Sequence, residues 1–139
     1  MEILRSKADL KEHLKNIKKK GKKIGFIPTM GGIHKGHLSL IRESLALKLH
    51  SVSSIFVNSL QFNDYKDFLN YPKNELQDIE LLSKNNCSTL YLPNTNDIYP
   101  EGVKVTVKVK EYRNILCDKY RSGHFDGVTT VVKSLFNLV

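Results

Sequence analysis

The sequence contains no apolar run long enough to cross a bilayer, which takes about 20 residues. Its N-terminus also has no apolar core of a secretory signal. Cysteine is scarce, because only Cys87 and Cys117 are present, far apart and without metal-ligand spacing. This argues against a disulfide framework and favours the reducing cytoplasm. Repeats, low-complexity segments and linkers are absent as well, so we expect residues 1–139 to form one domain.

Positive charge is in excess, with a formal net charge of +8. Much of it lies in the run KNIKKKGKK, residues 15–23. Such a run could bind nucleic acid or an anionic surface. We favour the plainer interpretation, a solvated helix end that stops at Gly21, because lysines stabilise the negative end of a helix dipole. The excess charge would also attract an anionic substrate.

Hydrophobic periodicity alternates between the helical and the extended pattern. Helical spacing predicts helices over 6–21, 36–50, 73–86 and 126–139. Apolar runs predict strands over 22–28, 51–58 and 88–93, and alternating valines predict a half-exposed strand over 103–111. The helix residues expected to be buried are Leu10, Leu14, Ile17, Leu38, Ile41, Leu45, Leu49, Leu76, Ile79, Leu82, Val131, Val132, Leu135 and Phe136.

The alternation of strand and helix predicts an α/β fold with a parallel sheet covered by helices on both faces. Ligands of such folds bind at the carboxyl ends of the strands. Three polar stretches follow predicted strands: PTMGGIHKGH, VNSLQFND and LPNTNDIYPEG. We therefore expect the functional residues in these stretches.

The first stretch has the composition of an anion site. Gly31, Gly32 and Gly36 let the backbone approach a ligand closely, and the following helix offers free N–H groups at its start. His34 and His37 lie three residues apart and can donate to phosphate oxygens. Surface histidines or turn caps are the plain alternative, and no third ligand for a metal pair is evident.

Ordered motifs along nearly the whole chain carry a resemblance to one family. The loop HKGH is similar to the HxGH motif of the nucleotidyltransferase-like superfamily. PTMGGIHKGHLSLI resembles the PTMGALHxGHLxL motif of the pantoate–β-alanine ligase family, and SIFVNSLQF resembles its SIFVNPxQF motif. DFLNYPKN, IYPEG and LCDKYRSGHFDGVTTVVKSLFNLV resemble further blocks of the family in the same order.

The resemblance implies a Rossmann-like fold and a ligase of coenzyme A biosynthesis. Such enzymes activate pantoate with ATP, in the presence of Mg²⁺, to pantoyl adenylate and pyrophosphate. The β-alanine amine then displaces AMP to give pantothenate. The resemblance also implies a homodimer that uses small-molecule substrates, with no nucleic acid and no membrane partner.

Site residues follow from the matched motifs. The resemblance assigns ATP binding to Met30, Gly31, Gly32, Ile33, His34, Lys35, Gly36 and His37. Within this loop His34 and His37 are the catalytic candidates, and His37 is the expected proton donor to the leaving group. Gln61 is the expected pantoate ligand near the β-alanine position. Asn58, Arg121 and His124 are further substrate-binding candidates, and no metal ligands are assigned.

Several of these residues have plain alternatives. Without the family, Gln61 is interpreted as a surface amide, and Arg121 and His124 as residues that shape a turn or cover the pocket. Asp64 and Asp67 are acidic loop residues that could approach magnesium.

The chain departs from the family pattern in places. Ser59 and Ser122 stand where the family has proline, and Lys73 stands where it has arginine. Family members are about twice this long, so we expect an N-terminal nucleotide-binding fragment that is weak or inactive alone. Other functions stay open: a nucleotidylyltransferase acting on a phosphorylated alcohol, a basic nucleic-acid-binding module, or a regulatory nucleotide-binding remnant.

Overall fold

A computed structural model describes residues 1–109 and 119–139. The chain divides into two compact units. The first comprises Met1–Phe56, Pro72–Asn94 and Leu138–Val139, and the second comprises Val57–Tyr71 and Thr95–Asn137. Cys117 and the last two residues of the strand predicted over 103–111 lie outside the described residues.

The first unit is built on a parallel sheet of four strands, in the order β1–β4–β3–β2. The strands and helices of this unit are β1 (Glu2–Leu4), α1 (Lys7–Lys19), β2 (Ile24–Thr29), α2 (Lys35–Ala46), β3 (His50–Ile55), α4 (Glu75–Lys84) and β4 (Thr89–Tyr91). The predicted α/β fold is confirmed, and β1 is a strand that the periodicity did not indicate. Because Thr29 pairs with Ile55 and Ser54 with Tyr91, the carboxyl ends of β2, β3 and β4 lie side by side.

Helices cover both faces of this sheet, as expected. Alternate strand residues point to opposite faces, so Ile27 and Leu90 pack against Ile41 of α2 and Leu82 of α4. On the other face, the buried side chains of one cluster are Leu4, Leu10, Leu14, Val52 and Tyr91, two of which belong to α1.

Local signals fix the ends of α1. The Ser6 side chain accepts a hydrogen bond from the N–H of Asp9, which satisfies one of the helix's free donors. Lys18 and Lys19 occupy the last turn, and Gly21 follows with a φ of +73°. The basic run therefore ends a helix, in agreement with the plainer interpretation.

Three of the helix residues expected in the core are exposed instead. Leu45, Leu76 and Phe136 expose 37%, 81% and 56% of their surface. In α2 the buried position next to Leu45 is taken by Ser44, which packs against Gly25 of β2. A small residue on each side lets this helix lie close to the strand, which rotates Leu45 outwards.

The second unit contains a short 3₁₀ turn, Ser59–Gln61, and the helices α3 (Tyr65–Leu69), α5 (Thr95–Ile98) and α6 (His124–Phe136). The strand expected over 103–111 is wrong for residues 103–109, which form no regular strand. The N–H groups of Thr106 and Val107 instead donate to Thr130 Oγ1. The Thr130 side chain of α6 therefore satisfies these two backbone donors. No described helix is long and apolar enough to cross a membrane.

We predict that Gly25→Ala destabilises the first unit, because its methyl group would collide with the Ser44 side chain. Overpacking of this kind costs about 1–3 kcal/mol. Urea unfolding of Gly25→Ala, Ser44→Ala and the double variant measures the coupling. The double variant should recover part of the loss, and purely additive effects would contradict the proposed contact.

Candidate active site

A glycine turn connects β2 to α2. Thr29 ends the strand, and its buried hydroxyl donates to the carbonyl of Ser54 at 2.8 Å and accepts from the N–H of Gly31 at 3.1 Å. Gly31 and Gly32 have φ values of +86° and +61°, which side-chain-bearing residues rarely adopt. The two glycines are therefore needed for the path of the backbone.

The buried carboxylate of Asp78, on α4, accepts two hydrogen bonds from the backbone of this turn. Its Oδ2 accepts from the N–H of Gly32 at 2.9 Å, and its Oδ1 accepts from the N–H of Ile33 at 2.7 Å. Only 3% of Asp78 is exposed. A Cβ at Gly31 would lie 2.9 Å from Oδ2, so the carboxylate and the turn fit closely. The sequence interpretation missed Asp78, although its position four residues before the buried Leu82 on a helix was a signal.

His34 caps the amino end of α2. Its Nδ1 accepts from the N–H of Gly36 at 3.1 Å. A neutral His34 therefore carries its proton on Nε2, where it is a donor. A Cβ at Gly36 would lie 3.0 Å from this Nδ1, which explains the third glycine of the loop. The capping alternative and the ligand-donor interpretation are compatible, since they use different ring nitrogens.

The imidazole of His37 stacks on that of His34, with ring centroids 4.0 Å apart and an interplanar angle of 30°. Burial and the neighbouring His34 lower the pKa of His37, and the Asp78 carboxylate opposes them. His37 Nδ1 is buried, and none of the residues in 1–109 and 119–139 forms a hydrogen bond with it. The two rings thus form one pair at the start of a helix, where backbone donors and the helix dipole favour an anion.

Asn58 organises a second group of residues, within the second unit. It is fully buried, and its Nδ2 donates to Gln61 Oε1 and to the carbonyl of Gly127, both at 3.1 Å. Its Oδ1 accepts from the N–H of Leu60 at 3.3 Å and from the Tyr99 hydroxyl at 2.6 Å. Asn58 therefore holds the side chain of Gln61 and the turn around it.

Two neighbours complete this group. His124 Nδ1 lies 2.9 Å from the carbonyl of Gln61; since a carbonyl can only accept, this nitrogen carries a proton. Tyr99 is 5% exposed, and burial raises its pKa to about 12, which keeps its hydroxyl a donor to Asn58. No role was assigned to Tyr99 from the sequence.

The structure thus places the expected residues in two groups. Met30 through His37 belong to the first unit, whereas Gln61, Asn58 and His124 come together in the second. Arg121 is exposed, and its carbonyl accepts from the N–H of His124. Asp64 caps α3 through the N–H of Lys66, and Asp67 lies in the first turn of that helix. No cluster of three potential metal ligands occurs within residues 1–109 and 119–139.

The parallel sheet and its histidine loop place the chain among α/β proteins of the Rossmann-like class. The model of the Pantoate-beta-alanine ligase family matches residues 2–139, and the chain belongs to that family. It is 44% identical over 139 residues to a pantothenate synthetase of Caldicellulosiruptor bescii, covering 100% of this chain and 49% of that protein. It is 46% identical over 132 residues to one of Shouchella clausii, covering 95% and 44% respectively.

Solved structures lead to the same family. The pantoate–β-alanine ligase of Francisella tularensis, complexed with beta-gamma ATP and β-alanine, matches with a TM-score of 0.91 and 40% identity over 99% of this chain and 53% of that one. Pantothenate synthetase of Thermus thermophilus matches with a TM-score of 0.88 and 36% identity over 100% and 49%. The chain spans about half the length of these relatives.

We predict that Gly127→Ala disrupts the group around Gln61. A Cβ at Gly127 would collide with the carbonyl of Leu60 and lie 2.8 Å from the N–H nitrogen of Gln61, so backbone has to move. We expect the free energy of unfolding, measured in urea, to fall by about 1–3 kcal/mol. The NMR signals of the Gln61 side chain should also shift.

Gly123→Ala is the matched control. Gly123 has a φ of +80° but open space around its Cβ position, so this variant adds backbone strain without displacing Leu60. Equal changes in the Gln61 signals of both variants would contradict the steric explanation.

Proposed function

We propose that this chain supplies the ATP-binding part of a pantoate–β-alanine ligase, which makes pantothenate from pantoate, β-alanine and ATP. The carrying observation is the loop at the start of α2, where the two stacked histidines follow a glycine turn fixed by Asp78. The ATP and β-alanine bound to the Francisella tularensis relative support the same substrates here. Because the relatives are about twice as long, the complete reaction belongs to the whole protein.

The first step forms an acyl phosphate bond. A carboxylate oxygen of pantoate attacks the α-phosphorus of ATP, the bond to the β-phosphate oxygen breaks, and pyrophosphate leaves with that electron pair. Negative charge grows on the leaving group, and donors fixed in advance stabilise it without reorganising. We assign this work to the backbone N–H groups of Lys35 and His37 in the first turn of α2 and to Nε2–H of His34.

His37 is suited to deliver a proton during this step. Burial and His34 lower its pKa, so the ring is mainly neutral near pH 7 before ATP binds. A polyphosphate beside it would raise the pKa and favour the imidazolium. Substrate binding would thereby load the proton that His37 gives to the departing pyrophosphate.

The second step consumes the adenylate. The amine of β-alanine attacks the acyl carbon, AMP leaves, and the amide of pantothenate forms. We assign pantoate binding to Gln61, because Asn58 holds its Oε1 and thereby orients its amide NH₂ as a donor. Asn58 itself acts through Gln61. His124 supports the same turn, and Arg121 is an exposed cation available to a carboxylate.

Magnesium belongs to this proposal as the companion of ATP. Mg²⁺ is usually held by substrate phosphates with one or two carboxylates, so a dedicated cluster of protein ligands is not required. Bound there, it would neutralise phosphate charge. A homodimer, a cytoplasmic location and a nucleotide-binding role for residues 1–139 remain predictions that rest on the family.

We predict pantoate-dependent exchange of labelled pyrophosphate into ATP. The assay compares this chain with a longer protein that joins it to the second half of a relative. In the active form, His37→Ala should lower exchange by about 10²–10⁴-fold, because a proton donor is lost.

Arg42→Ala, which removes an exposed cation from the same helix, should keep the exchange rate. A folded longer protein without pantoate-dependent exchange would contradict the proposed reaction. Full exchange by the 139 residues alone would show that the second half is dispensable for adenylation.

A further inference from the structure

A buried carboxylate, that of Asp78, lies beneath the loop. Asp78 is 3% exposed, and no described lysine, arginine or histidine forms an ion pair with it. A buried charge costs several kcal/mol unless hydrogen bonds or partners compensate it. The compensation visible here is the pair of N–H groups of Gly32 and Ile33.

The bonding pattern explains why a carboxylate is needed. Two adjacent backbone donors face two oxygens of one side chain, at 2.9 and 2.7 Å. An asparagine of the same shape would offer one acceptor and turn an NH₂ group toward the other N–H. Hydrogen bonds to a charged acceptor are also about twice as strong as neutral ones.

The two bonds fix the residues immediately before the histidine pair. Gly32 is exposed, has a φ of +61° and, as a glycine, has no side chain that could anchor this part of the turn. Ile33 is buried in the cluster formed with Ile41 and Leu82, and His34 follows it as the cap of α2. The carboxylate therefore ties α4 to the start of α2 at the point where the rings of His34 and His37 begin.

We infer that Asp78 is a positioning residue of the ATP site, which holds the Gly32–Ile33 backbone so that the loop and its two histidines are arranged before the triphosphate arrives. This inference rests on the proposed function of the loop. Asp78 has no direct contact with substrate in this role and acts through the backbone it binds.

Positioning and charge make opposite predictions for this residue. A negative charge near a polyphosphate weakens its binding, so removal of the charge alone should tighten ATP binding. If Asp78 positions the loop, Asp78→Asn should instead weaken ATP binding by about tenfold to a hundredfold, since small misplacements of binding groups are costly. The sign of the change thus separates the two roles.

The test compares Asp78→Asn with Glu80→Gln, which removes the same charge from the exposed side of α4. ATP affinity is measured by calorimetry at a temperature where amide exchange shows every variant to be folded. We expect weaker binding in Asp78→Asn and wild-type binding in Glu80→Gln. Unchanged or tighter binding in Asp78→Asn would overturn the inference.

Two NMR measurements test the role of Asp78 without ATP. A wrong inference about Asp78 can therefore be distinguished from a wrong proposal that the loop binds ATP. In Asp78→Asn the amide protons of Gly32 and Ile33 should lose their low-field shifts and exchange faster. The titration midpoint of His37 should move to lower pH, because the Asp78 charge raises the pKa of that ring. Wild-type amide shifts and titration in Asp78→Asn would also overturn the inference.

Discussion

The interaction on which the candidate site depends is the pair of hydrogen bonds from the Gly32 and Ile33 amides to the Asp78 carboxylate. The turn that they hold has two successive glycines with positive φ, which an unconstrained chain leaves readily. Conformational entropy of about 1–2 kcal/mol per residue opposes such order. The Asp78 carboxylate, buried on α4, supplies the interaction that opposes this loss.

In the second unit, too, one buried polar side chain holds a turn through several hydrogen bonds. Asn58, fully buried, uses both ends of its amide to bind the Gln61 side chain, the Gly127 carbonyl, the Leu60 amide and the Tyr99 hydroxyl. Gly127 allows α6 to approach the turn so closely that a methyl group does not fit. In both units, then, one buried polar side chain and a glycine fix a turn whose neighbours carry the proposed chemistry.

The alternation of periodic segments was sufficient to predict a parallel sheet, three of its four strands (β2, β3 and β4) and the helices α1, α2, α4 and α6. The same reasoning located the histidine loop at the end of a strand. It failed where tertiary packing decides the outcome. Leu45 is exposed because Ser44 and Gly25 bring α2 close to β2, and a window of sequence contains no sign of that pairing.

The valine-rich segment shows the complementary error. Its strict alternation is typical of a strand, but over residues 103–109 the Thr130 hydroxyl and Asp126 carboxylate of α6 accept N–H groups that a strand would give to a neighbour. Asp78 and Tyr99 were missed for a related reason, because their partners lie 45 and 41 residues away in the sequence. The contacts themselves are invisible in a short window of sequence, although the helical spacing of Asp78 from the buried Leu82 marks it as a buried position.

The most direct test of the account is an NMR titration of the isotope-labelled chain with ATP. If the loop is the triphosphate site, the largest shift changes will fall on the amides of Gly32 to His37 and on both imidazoles, and the His37 midpoint will move to higher pH. Changes confined to the lysines of residues 15–23, with the loop unaffected, would contradict the account and favour a general anion-binding surface.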